Sequence, residues 1–353
     1  PVYGTAVVVA VLAALAILLD IPPLVWHFRN RNIAAGSLVL WLLFLNLAIF
    51  VNAILWPTDD ISIWWTGSGL CDIEVYMFVG SWIGVVGAIA CILRGLANVL
   101  DTKNTVVTTS KNDRRRKYAM EITVCFGLPV IQMALYYIVQ PIRYFIYGIS
   151  GCTPAADNSW PSIVLVALPP VLVCLVCAFY ACLVLYRLYR YRIDFSRLLA
   201  ASNTTRSRFL RLFLMSCTLI IGILPVAVYM FYYTAVHISM DGIVPYSWSR
   251  VHGEHWNSVL LIPMGGAVYP DRWCWIGAGI GVFAFFGTGS EAADMYRAWL
   301  RRLGFAYCMP CLFRSRRGSG SGNHSATTTS RRRSSGGNAS WTTSVRDRAK
   351  SVF

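Results

Sequence analysis

Seven long apolar runs, each without a charge along its length, recur along the chain at 1–19, 33–56, 75–93, 122–142, 158–186, 212–236 and 273–290. Each holds about 18 residues or more, roughly what a helix needs to cross a hydrocarbon core. Inside lipid the backbone has to satisfy its own hydrogen bonds, so each run predicts a helix. The expected fold is an all-α integral membrane protein, a bundle of seven transmembrane helices. An odd number of crossings puts the two termini on opposite faces of the membrane. The first run has no basic stretch before it and no cleavage site after it, so it reads as a retained span.

The polar segments between the runs are uneven in charge. Arg29 and Arg31 lie in the first loop. Lys103, Lys111, Arg114, Arg115, Arg116 and Lys117 lie in the third, and Arg187, Arg190, Arg192, Arg197, Arg206, Arg208 and Arg211 in the fifth. The other loops carry only Arg143, Arg250 and Arg272. Basic residues in alternate loops follow the positive-inside rule, which puts the N-terminus outside and the C-terminus in the cytosol. The formal net charge of +15 therefore reads as topology and contact with anionic membrane lipids, not nucleic-acid binding. Residues 1–305 form one membrane domain. Residues 306–353, rich in Ser, Gly, Thr and Arg, are too polar to fold and read as a disordered basic tail.

Of 11 cysteines, Cys71, Cys152 and Cys274 fall on the outer side, where disulfides persist. A Cys71–Cys152 bridge would staple the fourth loop over the bundle; two unpaired thiols are the alternative. Cys174 and Cys177, inside the fifth run, read as packing residues, not zinc ligands, because no second pair or histidine lies near. Cys308 and Cys311, just past the last span, are candidate lipidation sites. Ser334 and Ser335 follow three arginines and form a candidate phosphorylation site. The glycosylation-like triplets at Asn203, Asn323 and Asn338 fall on the cytosolic side and are discounted.

Within the helices, Pro22 and Pro23 are expected to bend or unwind the first one. Asp20 is deep for a carboxylate, so it reads either as a polar latch between helices or as a solvated group at a frayed end. Gly80-x-x-x-Gly84 permits close helix approach. A homodimer through it is one reading and packing inside the bundle the other. The outer loops are rich in aromatic residues: Trp64, Trp65, Tyr246, Trp248 and Trp256 read either as interfacial anchors or, with His252, as ligand contacts.

Catalysis finds no support. A retinal protein needs a lysine in a span, and Lys103, Lys111, Lys117 and Lys350 all lie outside the runs. His252-Gly253-Glu254-His255 lacks a third metal ligand. Gly318-Ser319-Gly320-Ser321-Gly322 carries the letters of a nucleophile elbow, but in the tail. A transporter would place ionisable groups at mid-membrane in repeated halves. Here Asp72, Glu74, Arg94, Glu121, Glu291 and Asp294 gather near span ends, without a repeat. Neither enzyme, metal site nor cofactor is expected.

Leu24-Val25-Trp26-His27 is followed by Asn32, Trp41-Leu42, Asn46 and Phe50-Val51-Asn52. Cys71-Asp72-Ile73, Cys91-Ile92-Leu93-Arg94 and Ile223-Leu224-Pro225 come next, then Tyr246-Ser247-Trp248, Val251-His252 and Trp256-Asn257. In that order, over residues 4–305, the chain resembles the fungal mating pheromone receptors of the a-factor receptor type (class D G-protein-coupled receptors), basidiomycete-like. The resemblance implies a multi-pass plasma-membrane receptor for a secreted farnesylated peptide pheromone. Its partner would be a heterotrimeric G protein that triggers the mating response. The Asp/Glu-Arg-Tyr and Asn-Pro-x-x-Tyr motifs of rhodopsin-like receptors are absent, so a different switch is expected. Pro225, which removes a backbone hydrogen bond from the sixth helix, is the candidate hinge. Arg94 is the candidate switch residue, paired with Asp294 or Glu291 at rest or contacting the G protein when active; a snorkelling arginine is the alternative. Arg206, Arg208 and Arg211 are the candidate G-protein contacts.

Overall fold

The computed structural model describes residues 1–101, 111–191, 205–240 (side chains as far as 236) and 244–287. Several expectations lie outside the described residues: Cys308 and Cys311, Ser334 and Ser335, Glu291 and Asp294, the glycosylation-like triplets and the whole tail.

The apolar runs form long helices: α1 Gly4–Arg29, α2 Ile33–Leu55, α3 Leu70–Val99, α4 Lys111–Ile138, α5 Trp160–Arg190, α6 Arg206–Met240 and α7 Pro270–Phe286. The first six are long and apolar enough to cross a membrane. Of α7, 17 residues are described. Helices outrun the apolar pattern where the flanking residues are polar. α4 begins at Lys111, well before its apolar stretch, with Asp113 in its first turn. A carboxylate there complements the partial positive charge of the helix start.

α1 runs unbroken through Pro22 and Pro23 to Arg29, so the prolines do not unwind it. Its buried residues are Ala6, Val9, Ala13, Ala16, Asp20, Pro23 and His27. That three-and-four spacing is one stripe on one face. Pro23 belongs to it, so the helix is packed at the very turn where the hydrogen bond is missing.

α3 is the axis of the bundle, buried along most of its length. Close approach depends on its glycines. A side chain at Gly84 would run into the Trp41 ring of α2, and one at Gly80 into Met133 of α4. Both small positions are thus spent on packing inside the bundle.

Prolines in α4 and α5 leave carbonyls without helical partners, and neighbouring helices take them. Pro129 cannot donate to the Cys125 carbonyl, which instead accepts from the Trp41 indole Nε1 at 3.1 Å. Pro169 and Pro170 free the carbonyls of Leu165 and Val166. Gln132 Nε2 donates to these at 3.0 and 3.5 Å. Wide π-type turns at Thr123–Gly127 and Ile163–Ala167 sit just before these prolines. Such turns leave carbonyls available to side chains.

The fold is not purely helical. Three short strands, β1 Tyr144–Tyr147, β2 Gly151–Thr153 and β3 Val259–Ile262, form a sheet in the order β2-β1-β3. β1 pairs antiparallel with β2 (Ile146↔Cys152) and parallel with β3 (Ile146↔Leu261). The sheet joins the α4–α5 segment to the α6–α7 segment at one end of the bundle, here the sheet end. Buried Tyr144 and Ile146 alternate with half-buried Phe145 and Tyr147, the period of a strand lying on a packed surface. At the turn, Gly151 has φ +74°, and an added side chain would collide with Asn52. Only glycine suits that position on both grounds.

Candidate functional site

The sheet end is tied down from many directions. Cys71, in the first turn of α3, is bonded to Cys152 of β2, with Cα atoms 5.4 Å apart. The Arg143 guanidinium grips Asp72 with two hydrogen bonds, Nε to Oδ1 at 2.7 Å and Nη2 to Oδ2 at 2.5 Å. The Asp59 carboxylate accepts from the Tyr3 hydroxyl at 3.0 Å and from the backbone N–H groups of Met264 and Gly265 at 3.2 and 2.6 Å. Asp59 therefore joins the N-terminus, the α2–α3 segment and the segment after β3.

Arg272, only 2% exposed, lies in the first turn of α7, not in the preceding loop as the charge-free run at 273–290 implied. Its Nε donates to the Ser150 carbonyl at 3.1 Å, and its Nη2 to Cys152 O at 3.3 Å and Thr153 Oγ1 at 3.4 Å. The guanidinium stands 4.4 Å over the Phe78 ring. One buried cation thus clamps α7 to the hairpin turn and to α3. Beside this, Asn52 Nδ2 donates to buried Glu74. Burial raises the hydroxyl pKa of both Tyr144 and Tyr269, so each stays a neutral donor at ordinary pH.

The structure divides the six expected ligand contacts into two groups. Trp64 is turned inward, and its indole donates to the Thr58 carbonyl at 2.8 Å. It is a packing residue. Trp65 keeps its ring exposed, while its carbonyl accepts from the Trp56 indole at 3.0 Å. The other four gather against the end of α4. Trp248 stacks on His252 with ring centroids 3.8 Å apart, and Trp256 lies 6.0 Å from His252. Tyr137 of α4 touches all three rings, at 6.0, 4.9 and 5.8 Å from Trp248, His252 and Trp256. The Tyr246 hydroxyl donates to the Ile138 carbonyl at 2.9 Å. Arg250 Nη2 bonds Asp157 Oδ2 at 2.8 Å.

His252 Nε2 lies 3.0 Å from the Tyr137 carbonyl and donates to it. That assignment leaves Nδ1 as an acceptor. His252 Nδ1 and Trp256 Nε1 are buried and have no hydrogen-bond partner. The aromatic cluster therefore encloses one unpartnered acceptor and one unpartnered donor behind exposed Trp248.

α6 differs along its length. Phe209, Leu212, Phe213, Met215, Ser216 and Ile220 are buried, but no residue from 221 to 236 is. Val226, Val228, Tyr229, Met230, Tyr232 and Tyr233 all present exposed side chains. Pro225 sits just past the change.

The far end of the bundle carries the expected coupling residues. Arg94 is half-buried and lies near the Glu121 carboxylate. Its expected acidic partners are outside the described residues. An ion pair at this end, Arg187–Asp101, links α5 to the residue just past the C-cap of α3. Arg187 Nη1 donates to the Ala97 carbonyl at 2.5 Å, and Nη2 to Asp101 Oδ2 at 3.3 Å. Thus α5 is pinned to the last turn of α3. Arg208 of α6 stands 4.8 Å over the Trp26 ring of α1, and buried His27 packs on Phe286 of α7 with centroids 4.3 Å apart. Arg206 is exposed, and Arg211 Nε bonds the Ser207 carbonyl at 3.4 Å.

Sequence reasoning missed Tyr137, Arg272, Asp59 and the Arg187–Asp101 pair. Arg272 and Arg143 had left a signal: they are two of only three basic residues in loops otherwise without them.

A family model described as "Pheromone A receptor" (STE3) matches residues 8–304. The chain is 31% identical over 303 residues to the pheromone a factor receptor of Saccharomyces cerevisiae, covering 84% of this chain and 63% of that protein. It is 29% identical over 300 residues to the pheromone B beta 1 receptor of Schizophyllum commune, covering 82% of this chain and 53% of the relative. Against pheromone receptor 1 of Mycosarcoma maydis it is 28% identical over 305 residues, 82% of each chain. The chain thus spans only about half to two-thirds of the first two relatives.

Proposed function

The chain belongs to the STE3 family of pheromone A receptors, membrane receptors and not enzymes, and on that premise we propose what it recognises and how it signals. It is a seven-helix G-protein-coupled receptor of the plasma membrane. The sheet end faces outside and the far end, with the C-terminus, faces the cytosol. Its ligand is a secreted farnesylated peptide pheromone, and it activates a heterotrimeric G protein to start the mating response. The family match across 8–304 carries this reading, because it spans the whole helical region.

The peptide would bind over Trp248, His252, Trp256 and Tyr246, with exposed Trp248 as the ring it meets first. Trp65 lies on the same end. The apolar lipid would lie along the exposed side chains of α6 beyond Pro225, Val226 to Tyr233, reached from the bilayer. Such a ligand shifts the receptor only if it binds the active state more tightly than the resting one. Closure of α6 onto the ligand, pivoting at Pro225, would move its packed half and its arginines. Arg208 would leave Trp26, and Arg206, Arg208 and Arg211 would be presented to the G protein. Arg187–Asp101, more than Arg94, is the resting lock. Lipid on Cys308 and Cys311 would hold the following segment at the membrane.

The test is a pheromone-responsive reporter in cells whose only receptor is this chain. A farnesylated, carboxymethylated peptide should activate it, and the same peptide without the lipid should not. Equal responses to the two would overturn the lipid-binding reading.

A further inference from the structure

A polar junction between α1, α2 and α7 belongs neither to the ties of the sheet end nor to the coupling residues. Asp20 of α1 is fully buried, and neither carboxylate oxygen has a hydrogen-bond partner. Asn46 of α2 is equally buried. Its amide nitrogen carries two N–H groups, and both are spent. Nδ2 donates to the Leu42 carbonyl, one turn back on its own helix, at 2.9 Å, and to the Trp275 carbonyl of α7 at 3.3 Å. The same nitrogen stands across from Asp20. A Cβ built on Gly279 would lie 2.9 Å from Asn46 Nδ2, 2.9 Å from Asp20 Oδ2 and 3.3 Å from the Ala16 Cβ. Donor and acceptor therefore flank one bare position on α7, close but not bonded.

This arrangement makes two hydrogen bonds mutually exclusive. An unpaired buried carboxylate is costly. Asn46 Nδ2 is the donor at hand, yet it cannot serve Asp20 while it holds both carbonyls. The bond to Trp275 is the easier one to give up. It is the longer of the two, and a carbonyl inside a helix already accepts from the amide four residues on. A hydrogen bond to a carboxylate is also stronger than one to a neutral carbonyl. Exchanging one for the other frees α7 from α2 and ties α2 to α1. With glycine at 279, no side chain of α7 stands between the two groups.

We propose that Asn46 is a two-position switch: its amide holds the Trp275 carbonyl at rest and passes to the Asp20 carboxylate in the active receptor. The switch rests on the proposed signalling function, since pheromone is what shifts it. Asp20 is then a positioning residue that acts through Asn46, not a ligand contact.

The test is a double-mutant cycle on the full-length receptor. In the reporter cells, Asp20→Leu removes the second seat. It should raise the half-maximal concentration of the farnesylated, carboxymethylated peptide by about tenfold, the factor that corresponds to a hydrogen bond to a charged group. With Asn46→Leu already in place Asp20 has no donor to gain, so adding Asp20→Leu should cause no further rise. Asp20→Asn keeps the shape and an acceptor but loses the charge. It should show a smaller rise, and it stands in if Asp20→Leu does not reach the surface. In pheromone-free receptor in lipid nanodiscs neither Asp20 variant should lower the unfolding temperature, because the carboxylate they remove has no partner at rest. Normal peptide sensitivity in a folded Asp20 variant overturns the proposal. So does a full second shift in the double variant, or a lower unfolding temperature in both Asp20 variants. An unaltered receptor silent to the peptide refutes the proposed function instead, and the unfolding temperatures then decide the exchange alone.

Discussion

The two ends of the bundle are held by different means. At the sheet end a disulfide, a three-stranded sheet, the Asp72–Arg143 fork, the Asp59 knot and the Arg272 clamp join segments distant in sequence. At the far end the described links are fewer: Arg187 on α3, Arg208 over Trp26, and His27 against Phe286. The sheet end is redundant, so losing one tie leaves the others. The far-end links among the described residues are an ion pair, a cation over a ring and a ring-on-ring contact, with no disulfide or sheet among them. The proposed function would use this division, because pre-organisation favours binding and a two-state element needs a small gap between its states.

The contrast can be broken most severely at the disulfide. Cys71→Ser should destabilise the receptor by about 4 kcal/mol, the chain-entropy value for a loop of roughly 80 residues. Surface expression and thermal unfolding would read this, and an unchanged unfolding temperature would refute a stapling role. Next is Arg272→Ala, which leaves the Ser150 and Cys152 carbonyls without their buried donor at a cost of about 3 kcal/mol. Pheromone affinity should fall along with stability, since the hairpin turn is freed.

Gln132→Leu tests the middle of the bundle. It strips the donor from two proline-freed carbonyls and should cost about 2 kcal/mol, read as a lower unfolding temperature with ligand affinity retained. The smallest expected effect is at the far end. Arg187→Ala removes a partly exposed pair worth about 1 kcal/mol, too little to unfold the receptor. It should still raise basal reporter activity by roughly fivefold, which is that energy expressed as a population shift. Charge exchange, Arg187→Asp with Asp101→Arg, should bring basal activity back down. High basal activity in the exchanged pair would show that the ion pair is not the lock.

The long helices were legible because lipid imposes one strong condition, a charge-free run long enough to cross. The same condition blurred their ends. The polar start of α4 at Lys111 forms helix outside the apolar run, where water or head groups can solvate its side chains. Tyr137 was hidden for the related reason that it sits inside an apolar run and reads as one more lipid-facing residue. The outer aromatics Tyr246, Trp248, His252 and Trp256 were legible as candidates by composition. That Trp64 turns inward was not, since a tryptophan in a loop has the same letter whether its indole faces solvent or the Thr58 carbonyl.

Apolar length, alternating basic loops and the ordered run of short motifs by themselves determined that this is a helical membrane receptor of the pheromone A type. Hydrocarbon and head-group charge select such features one segment at a time. Only the tertiary structure decided which partner each orphaned group takes: Trp41 for the Cys125 carbonyl, Gln132 for those of Leu165 and Val166, Arg272 for the hairpin turn, and Asp20 facing Asn46. Those pairings depend on how helices far apart in the chain are rotated and set against one another. No local pattern of hydrophobicity or charge encodes that rotation.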